Sequence, residues 1–540
     1  MRITSIWACS VLLLTSVAFA QAPVMLSVNT ATREDAIPAD FVGLGFETQS
    51  ILPNTYGVPG YFFSPENKQL IRLFQNAGIK HIRVGGGTVD GSGRNEHCLI
   101  PIPTRKDIDN LFEFAQLSGV KVIYSFRLLN LGECANENLA SDNAATAQYI
   151  WNNYRSSLDS FSIGNEPDVR SFHSYPGHAT DPRILETKPG VPGTAYPSFL
   201  ADWRHFADAI LKLVPSAEFS GPDTAVSSKS SFTPDPATGV SWTQQFASDL
   251  KSSGIVVEAL QHHYVYGLPG STPADTAIDN MLSPAWVTGT SPGAQPAGEG
   301  GAKTFNPYPF VYNNVLAPLV SFGVPYRMTE ANDCLHGVVG ASNGYAAALW
   351  ALDYMHWWAA HHMGGVNFHN NPWLPTDTVV PDPNPCPPSG CGNYRMTAKA
   401  YGLKAFDLGS HGYVEPVTLT NPKGINLTAY AVGTDRELYI TIINKTHSTT
   451  RDAIDAAVTI QAPGFTSAGA DYMVLSGSEP GSAGGMIATL GGSSITSNAP
   501  WMGKWTPLGR VREGKVALTV ESATAAIVRM RTPSALTKVR

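Results

Sequence analysis

Two segments of the chain each end an apolar run in a glutamate, Ile163-Gly164-Asn165-Glu166-Pro167 and Met328-Thr329-Glu330-Ala331-Asn332. Two carboxyl groups suffice for glycoside hydrolysis: one protonates the leaving oxygen, the other stands opposite the anomeric carbon. When they lie ~5–5.5 Å apart the second attacks directly and the configuration is retained. The acid must hold its proton near working pH, which a neighbouring negative charge favours, while the nucleophile must stay ionised and needs donors. On this basis Glu166 is read as general acid/base and Glu330 as nucleophile. Either glutamate alone would be an ordinary solvated strand-end charge; the pair carries the reading. Asn165 shares the strand end with Glu166 and is placed to meet a sugar 2-hydroxyl. Tyr264, in His262-His263-Tyr264, and Arg83, in Ile82-Arg83-Val84, are candidate donors to the nucleophile. Glu47, which closes another apolar run, and His263 are candidate sugar contacts. This chemistry calls for no metal and no cofactor, and no two cysteines have zinc-knuckle spacing.

Such residues must be held by a rigid frame, and the periodicity supplies one. From about residue 40, short apolar runs alternate with amphipathic helical stretches. Eight strands are read at Phe41–Glu47, Ile79–Val84, Val120–Phe126, Leu158–Gly164, Ala217–Ser220, Ile255–His263, Pro325–Glu330 and Gly365–Asn370. Helices fall between them. The first is read with Ser64 as N-cap and Gly78 as its stop, the second with Thr104 and Asp107 as a capping box. Later ones are read at Tyr312–Phe322, Tyr345–His361 and Met396–Leu408. Eight βα repeats predict a (β/α)8 TIM barrel over residues 39–410, with Glu166 and Glu330 at the ends of strands four and seven, where barrel active sites form. A doubly wound open sheet is the alternative, but no Gly-rich phosphate fingerprint follows strand one.

After about residue 412 the helical period vanishes. Leu427–Val432 and Leu438–Ile443 flank Gly433-Thr434-Asp435-Arg436, a hairpin signal, and further strand-like runs follow to Met530. Residues 411–540 are read as a β-sandwich domain, joined by the strand-like Val24–Asn29 from residues 21–38. Residues 1–20 have the form of an export signal, with basic Arg2, an apolar centre and Ala18-Phe19-Ala20 before the cut, so the chain is expected to be secreted or periplasmic. In that setting Cys386–Cys391 and Cys98–Cys134 are candidate disulfides, which leaves Cys334 over. A formal charge of -7 gives no electrostatic case for nucleic acid or anionic membrane as a partner. A carbohydrate is the partner expected.

The motifs also carry a resemblance. Ile163-Gly164-Asn165-Glu166-Pro167 resembles the acid/base motif of the retaining barrel hydrolases. Together with Gly43-Leu44-Gly45-Phe46-Glu47, Arg83-Val84-Gly85-Gly86, His262-His263-Tyr264, Thr329-Glu330-Ala331-Asn332 and Leu349-Trp350-Ala351-Leu352-Asp353, it looks like glycoside hydrolase family 79, the heparanase and β-glucuronidase family. The resemblance implies that Glu166 is the acid/base and Glu330 the nucleophile. It further implies that Glu47, Asn165 and His369 contact a glucuronic acid ring, and that Tyr394 also reaches the substrate. Members that bind glucuronate tend to follow the nucleophile with Asn-Ser-aromatic-aromatic-Gly; here the loop is Asn332-Asp333-Cys334-Leu335-His336-Gly337. His336, the nearby backbone amides and Tyr394 become the candidate donors to a uronate carboxylate. An insertion, Asn371 to Gly392, is read as a loop on the catalytic face. The expected activity is an exo-acting β-glucuronidase. The alternatives are a heparanase-like endo-enzyme, which should present a basic groove, a retaining hydrolase of another sugar, and a non-catalytic carbohydrate-binding protein, which would commonly have lost one carboxylate.

Overall fold

In the computed structural model the described residues are 23–532, apart from 56–58, 91–99, 129–138, 169–194, 226–239, 290–306, 372–373, 383–393, 449–452 and 466–468. The export signal, Cys98, Cys134, Cys386 and Cys391 lie outside them. After β1 (Val24–Val28) come β2 (Val42–Glu47), β3 (His81–Gly85), β4 (Lys121–Phe126), β5 (Leu158–Ile163), β6 (Phe219–Thr224), β7 (Val256–Tyr266), β8 (Tyr326–Cys334) and β9 (Gly365–His369). These eight, β2 to β9, close into a barrel in sequence order. A two-stranded ribbon of β10 (Val379–Pro381), within the expected insertion, and β11 (Tyr394–Met396), just after it, follows β9.

Local chemistry explains where the elements start and stop. Asp107 accepts from the backbone N–H and the hydroxyl of Thr104 at 2.7 and 2.6 Å, closing the start of the helix Arg105–Ser118. The preceding helix departs from expectation. It begins at Lys68, and its N-cap is Asn67, whose Oδ1 accepts from the Leu70 N–H at 3.3 Å. Ser64 closes the turn before it, with its hydroxyl accepting from Glu66 N at 3.2 Å. The expected helix Tyr312–Phe322 starts earlier, at Tyr308, and passes through a π turn, Tyr312–Leu316. Pro318 has no N–H for the Asn314 carbonyl, and Gln244 Nε2 supplies that hydrogen bond instead at 2.8 Å. Several barrel strands, β6, β7 and β8 most clearly, run past their expected ends. β8 continues through Glu330 to Cys334 because its pairing with β7 continues, Tyr264 opposite Asn332 and Tyr266 opposite Cys334. β6 continues to Thr224.

The C-terminal part is a β-sandwich. Its strands are β12 (Tyr413–Glu415), β13 (Val417–Thr420), β14 (Leu427–Gly433), β15 (Glu437–Asn444), β16 (Ala456–Gln461), β17 (Gly469–Gly477), β18 (Ala488–Leu490), β19 (Thr506–Arg510), β20 (Lys515–Val520) and β21 (Thr524–Arg531). One sheet runs β13-β1-β16-β20, so the first strand of the chain is built into it; the other runs β12-β14-β15-β21-β17-β18, with β19 also on β17. A core of Leu26, Ile440, Val458 and Val528 fills the space between the sheets. The barrel core runs into the sandwich through Ile443, Met473, Leu475 and Ile527, so the two parts share apolar packing. Asp353, on the barrel helix Ala346–Ala359, accepts from Thr428, Tyr430 and Lys445 at 2.6, 2.8 and 2.7 Å, which satisfies its buried carboxylate across the junction. No helix among the described residues is long and apolar enough to cross a membrane.

Candidate active site

β5 delivers Glu166 through a turn that only a special sequence can make. Gly164 has φ +82, and a Cβ there would lie 2.9 Å from the Leu128 side chain. Glu166 itself has φ +45, unusual for a side-chain-bearing residue, and its N–H is tied to the Asp223 carbonyl at 2.9 Å. The left-handed turn lifts the Glu166 side chain to the mouth, where it is 13% exposed. There its Oε1 lies 3.1 Å from Nδ1 of His262.

Glu330 projects from β8 toward the same space. Tyr264 donates to its Oε1 at 2.6 Å and Arg83 Nη1 to its Oε2 at 3.0 Å. His369 Nδ1 lies 3.7 Å and His262 Nδ1 4.0 Å from Oε2. Burial alone would raise the Glu330 carboxyl. The charges of His369, His262 and Arg83, with the Tyr264 hydrogen bond, overcome it and hold the group at about 2. Glu330 is thereby kept as a carboxylate. One carboxylate oxygen of each glutamate and a ring nitrogen of His262 all lie within 4.8 Å of one another.

Beneath the pair lies Asp223, which the sequence pattern does not single out. Asp223, on β6 and fully buried, accepts from Arg83 Nη2 and from the Thr329 hydroxyl, and its Oδ1 lies 3.0 Å from Nε2 of His262. Burial would raise the Asp223 carboxyl, but Arg83 and His262 hold it far below the usual range. His262 shows the complementary shift. Burial would lower it, yet the charges of Asp223 and Glu330 and the hydrogen bonds to Asp223 and Glu166 push it up to about 10. Arg83 Nη2 also donates to Asn165 Oδ1 at 2.5 Å, which fixes Asn165 next to the acid. The available signal was Pro222-Asp223 at the end of strand five, hidden by ending that strand at Ser220.

The remaining candidates divide. Glu47 lies at the mouth, where Oε2 accepts from the N–H and hydroxyl of Thr88 at 2.8 and 2.7 Å and Oε1 lies 4.0 Å from His369 Nε2. Gly86, at φ +69, leaves room for it, since a Cβ there would fall 2.4 Å from the Glu47 carboxyl. Tyr394 is buried on β11 with its ring against Phe62 at 5.0 Å, and burial pushes its hydroxyl up to about 12. His336 is exposed in the loop after β8. His263 faces away from the mouth: its Nδ1 lies 2.8 Å from the Tyr354 hydroxyl, and its ring packs on Tyr308 and Trp358. The register shift between Gln261 and His262 sets this parity, so of the two histidines it is His262 that enters the barrel. Cys334 is buried and free, its thiol pushed up to about 11 by burial.

Glu166, His262 and Glu330 are spaced like ligands of a cation. The donor set does not fit one, because both His262 nitrogens already face carboxylates and Arg83 occupies Glu330 Oε2. The cluster is an ion-paired acid group.

Fold and site together define a (β/α)8 barrel with a carboxylate pair across its mouth and a β-sandwich at its side. No protein-family model matches the chain, and no curated protein matches it. Among solved structures it is similar to a 4-O-α-L-rhamnosyl-β-D-glucuronidase from Fusarium oxysporum 12S, at 16% identity over 93% of this chain and 99% of that one, with TM-score 0.61. It is similar also to a family 51 arabinofuranosidase from Xanthomonas axonopodis pv. citri, at 13% identity over 94% and 100%, TM-score 0.62. A bifunctional glucanase-xylanase from a metagenome library matches at 13% identity over 95% and 99%, TM-score 0.58. At these identities the shared property is the fold, barrel and sandwich included.

Proposed function

We propose that the chain is a retaining glycoside hydrolase in which Glu166 is the acid/base and Glu330 the nucleophile. The observation that carries this reading is the facing pair itself: carboxylate oxygens within 4.8 Å, with Glu330 held ionised by Arg83 and Tyr264. An inverting mechanism needs ~6.5–9.5 Å between the carboxyls to admit a water, so the short separation supports double displacement. In the first step Glu330 attacks C1 while the Glu166 proton passes to the departing oxygen. In the second, Glu166 takes a proton from water as its oxygen replaces Glu330 at C1. The substrate class to which the motif resemblance points is a terminal β-glucuronide, with Glu47, Asn165 and His369 on the sugar, Tyr394 and His336 toward the C5 substituent, and the enzyme exported.

A second reading, a hydrolase of a neutral sugar, is favoured by one observation. Arg83, His262 and His369 each already lie against site carboxylates, and Glu47 adds another acid at the mouth. Hydrolysis of an aryl-glycoside panel (β-glucuronide, β-galacturonide, β-glucoside, β-xyloside) separates the two, and NMR of the first-formed anomer tests retention. Preference for the glucuronide supports the first reading; equal or faster glucoside cleavage overturns it and leaves the two-glutamate mechanism standing.

A further inference from the structure

The His262 side chain touches both the acid and the buried carboxylate behind it. Its Nδ1 lies 3.1 Å from Glu166 Oε1 and its Nε2 lies 3.0 Å from Asp223 Oδ1, so the three form a line from the barrel interior to the mouth. Asp223 cannot swing away, because Arg83 and Thr329 hold it from the other side and it is fully buried. A carboxylate so placed can only accept from His262, which fixes a proton on Nε2. In the free protein Nδ1 is then the N–H that donates to a Glu166 carboxylate, and it becomes the lone pair that accepts from a Glu166 carboxylic acid when the proton moves across for the acid step.

Resting on the hydrolase reading, we propose that Asp223 is a positioning residue for the acid/base step: by holding the Nε2 proton it makes His262 and Glu166 keep one further proton in common. When the leaving oxygen takes the proton of Glu166, the C1–O bond breaks and Glu330 bonds to C1. That is the proton the pair held in common, so Glu166 is left a carboxylate and His262 neutral, its remaining proton on Nε2 toward Asp223. When water attacks C1 and the bond to Glu330 breaks, the water's proton returns to Glu166. The pair ends the cycle with the protons it began with, and no co-reactant is needed.

The groups that face His262 make this arrangement durable. They are Asp223 on β6, Glu166 after β5 and Glu330 on β8 at 4.0 Å; Arg83 on β3 and Tyr264 on β7 act through those carboxylates, and Asp168, pushed up to about 7 mainly by burial, lies in the turn beyond Glu166. Three of the nearest groups are acids, in keeping with a histidine pushed up to about 10. The shared proton therefore persists well past neutral pH, and the pair titrates as a unit.

The test is ¹⁵N NMR of histidine-labelled chain, with His262 assigned by loss of its signals in His262→Asn. In the wild type both ring nitrogens of His262 should be protonated at pH 8. In Asp223→Asn the titration should fall by at least about one pH unit, because one opposite charge in contact is gone. The basic limb of kcat/KM for glycosides with poor leaving groups should move down with it, and these substrates should lose more than activated aryl glycosides. A neutral His262 at pH 8 in the wild type overturns the proposal, and that measurement decides the matter if Asp223→Asn does not fold. An unchanged titration in the variant overturns it as well. Equal losses on both substrate types would assign Asp223 to the nucleophile through Arg83 and overturn its place in the acid step. A wild-type chain that cleaves no glycoside would overturn the hydrolase reading, while the NMR arm would still decide the coupling of Asp223 to His262.

Discussion

The two ends of the barrel carry nearly the same residues and use them in opposite ways. At the mouth, Arg83 and His262 lie among Glu166, Asp223 and Glu330, with His369 beside Glu330. At the floor, Arg327 and His81 lie among Asp40, Asp159 and Glu258, with Arg327 Nε donating to Glu258 at 3.0 Å and His81 Nε2 3.8 Å from Asp159. Both histidines are buried, yet His262 is raised and His81 lowered. The cause is what each ring faces. Both nitrogens of His262 face carboxylates. Nδ1 of His81 accepts from the Asn367 amide at 2.9 Å, an N–H that can satisfy only a neutral nitrogen, and burial with the nearby Arg327 charge disfavours the cation further. Of the carboxylates, Glu330 and Glu258 diverge likewise, whereas Asp159 at the floor is held low, against its burial, by His81 and Arg327. Glu330 is held at about 2, whereas burial pushes Glu258 up to about 7 in spite of Arg327, whose other donors go to the carbonyls of Asp40 and Gly364 and to Asn367. The mouth keeps its charges available for chemistry; the floor disperses them into the frame. Residue type alone does not make an active site.

The comparison should break cleanly under substitution, and the largest effect is expected at the mouth. Glu330→Gln keeps one carbonyl acceptor, for Arg83, and its amide N–H can donate to the Tyr264 hydroxyl, so the chain should fold, but kcat should fall by about 10⁴-fold or more because the covalent step is gone. Steady-state kinetics beside circular dichroism checks both halves. Glu166→Ala comes next: about 10²–10⁴-fold loss on glycosides with poor leaving groups, much less on activated aryl glycosides, and rescue by azide with a β-azide product. Equal loss on both substrate types would refute the acid role.

The floor should answer differently. Arg327→Met leaves buried Glu258 without its partner and should cost about 3–5 kcal/mol of stability, with kcat per folded molecule little changed. A large kcat loss at unchanged stability would contradict the division between the two ends. The smallest effect is a pH dependence. A carboxyl raised from 4.5 to about 7 on folding binds its proton more tightly in the folded state, so its contribution is present below pH ~4.5 and lost as pH rises through 7. Glu258→Gln should therefore gain stability relative to wild type between pH 5 and 7, read from urea midpoints. At the mouth the signs differ: Glu330 contributes above its unfolded value and loses this as pH falls toward 2, and His262 contributes below about 6.5 and loses this as pH rises through 10.

Much of this frame was legible in the sequence, because a barrel strand buried on both faces is an apolar run and a helix has a period. All eight strands overlap the runs where the alternation put them, the fifth only at Phe219 and Ser220, and the hairpin turns at Gly433 to Glu437 as its residues require, with Thr434 N donating to the Glu437 carbonyl at 2.8 Å. What stayed hidden depends on pairing between distant segments. The extension of β8 past Glu330 follows from its partner β7. The inward turn of His262 rather than His263 follows from a register shift between strands, invisible to a pattern of period two. Asp223 escaped because Gly221, Pro222 and an aspartate are poor strand formers, and only the closed barrel shows the strand continuing through them. Asn67 and Ser64 are equally good caps on paper, and the chain path decided between them.

In a retaining hydrolase of this geometry Glu330 forms the covalent bond to C1. A mechanism-based 2-deoxy-2-fluoro glycoside or cyclophellitol-type inactivator of the sugar best cleaved by the wild type, followed by peptide mass spectrometry, addresses it directly. The expected result is a single covalent adduct on Glu330, formed at normal rate in wild type and absent in Glu330→Gln. An adduct on Glu166, Glu47 or any other carboxylate, or inactivation without an adduct on Glu330, would contradict it.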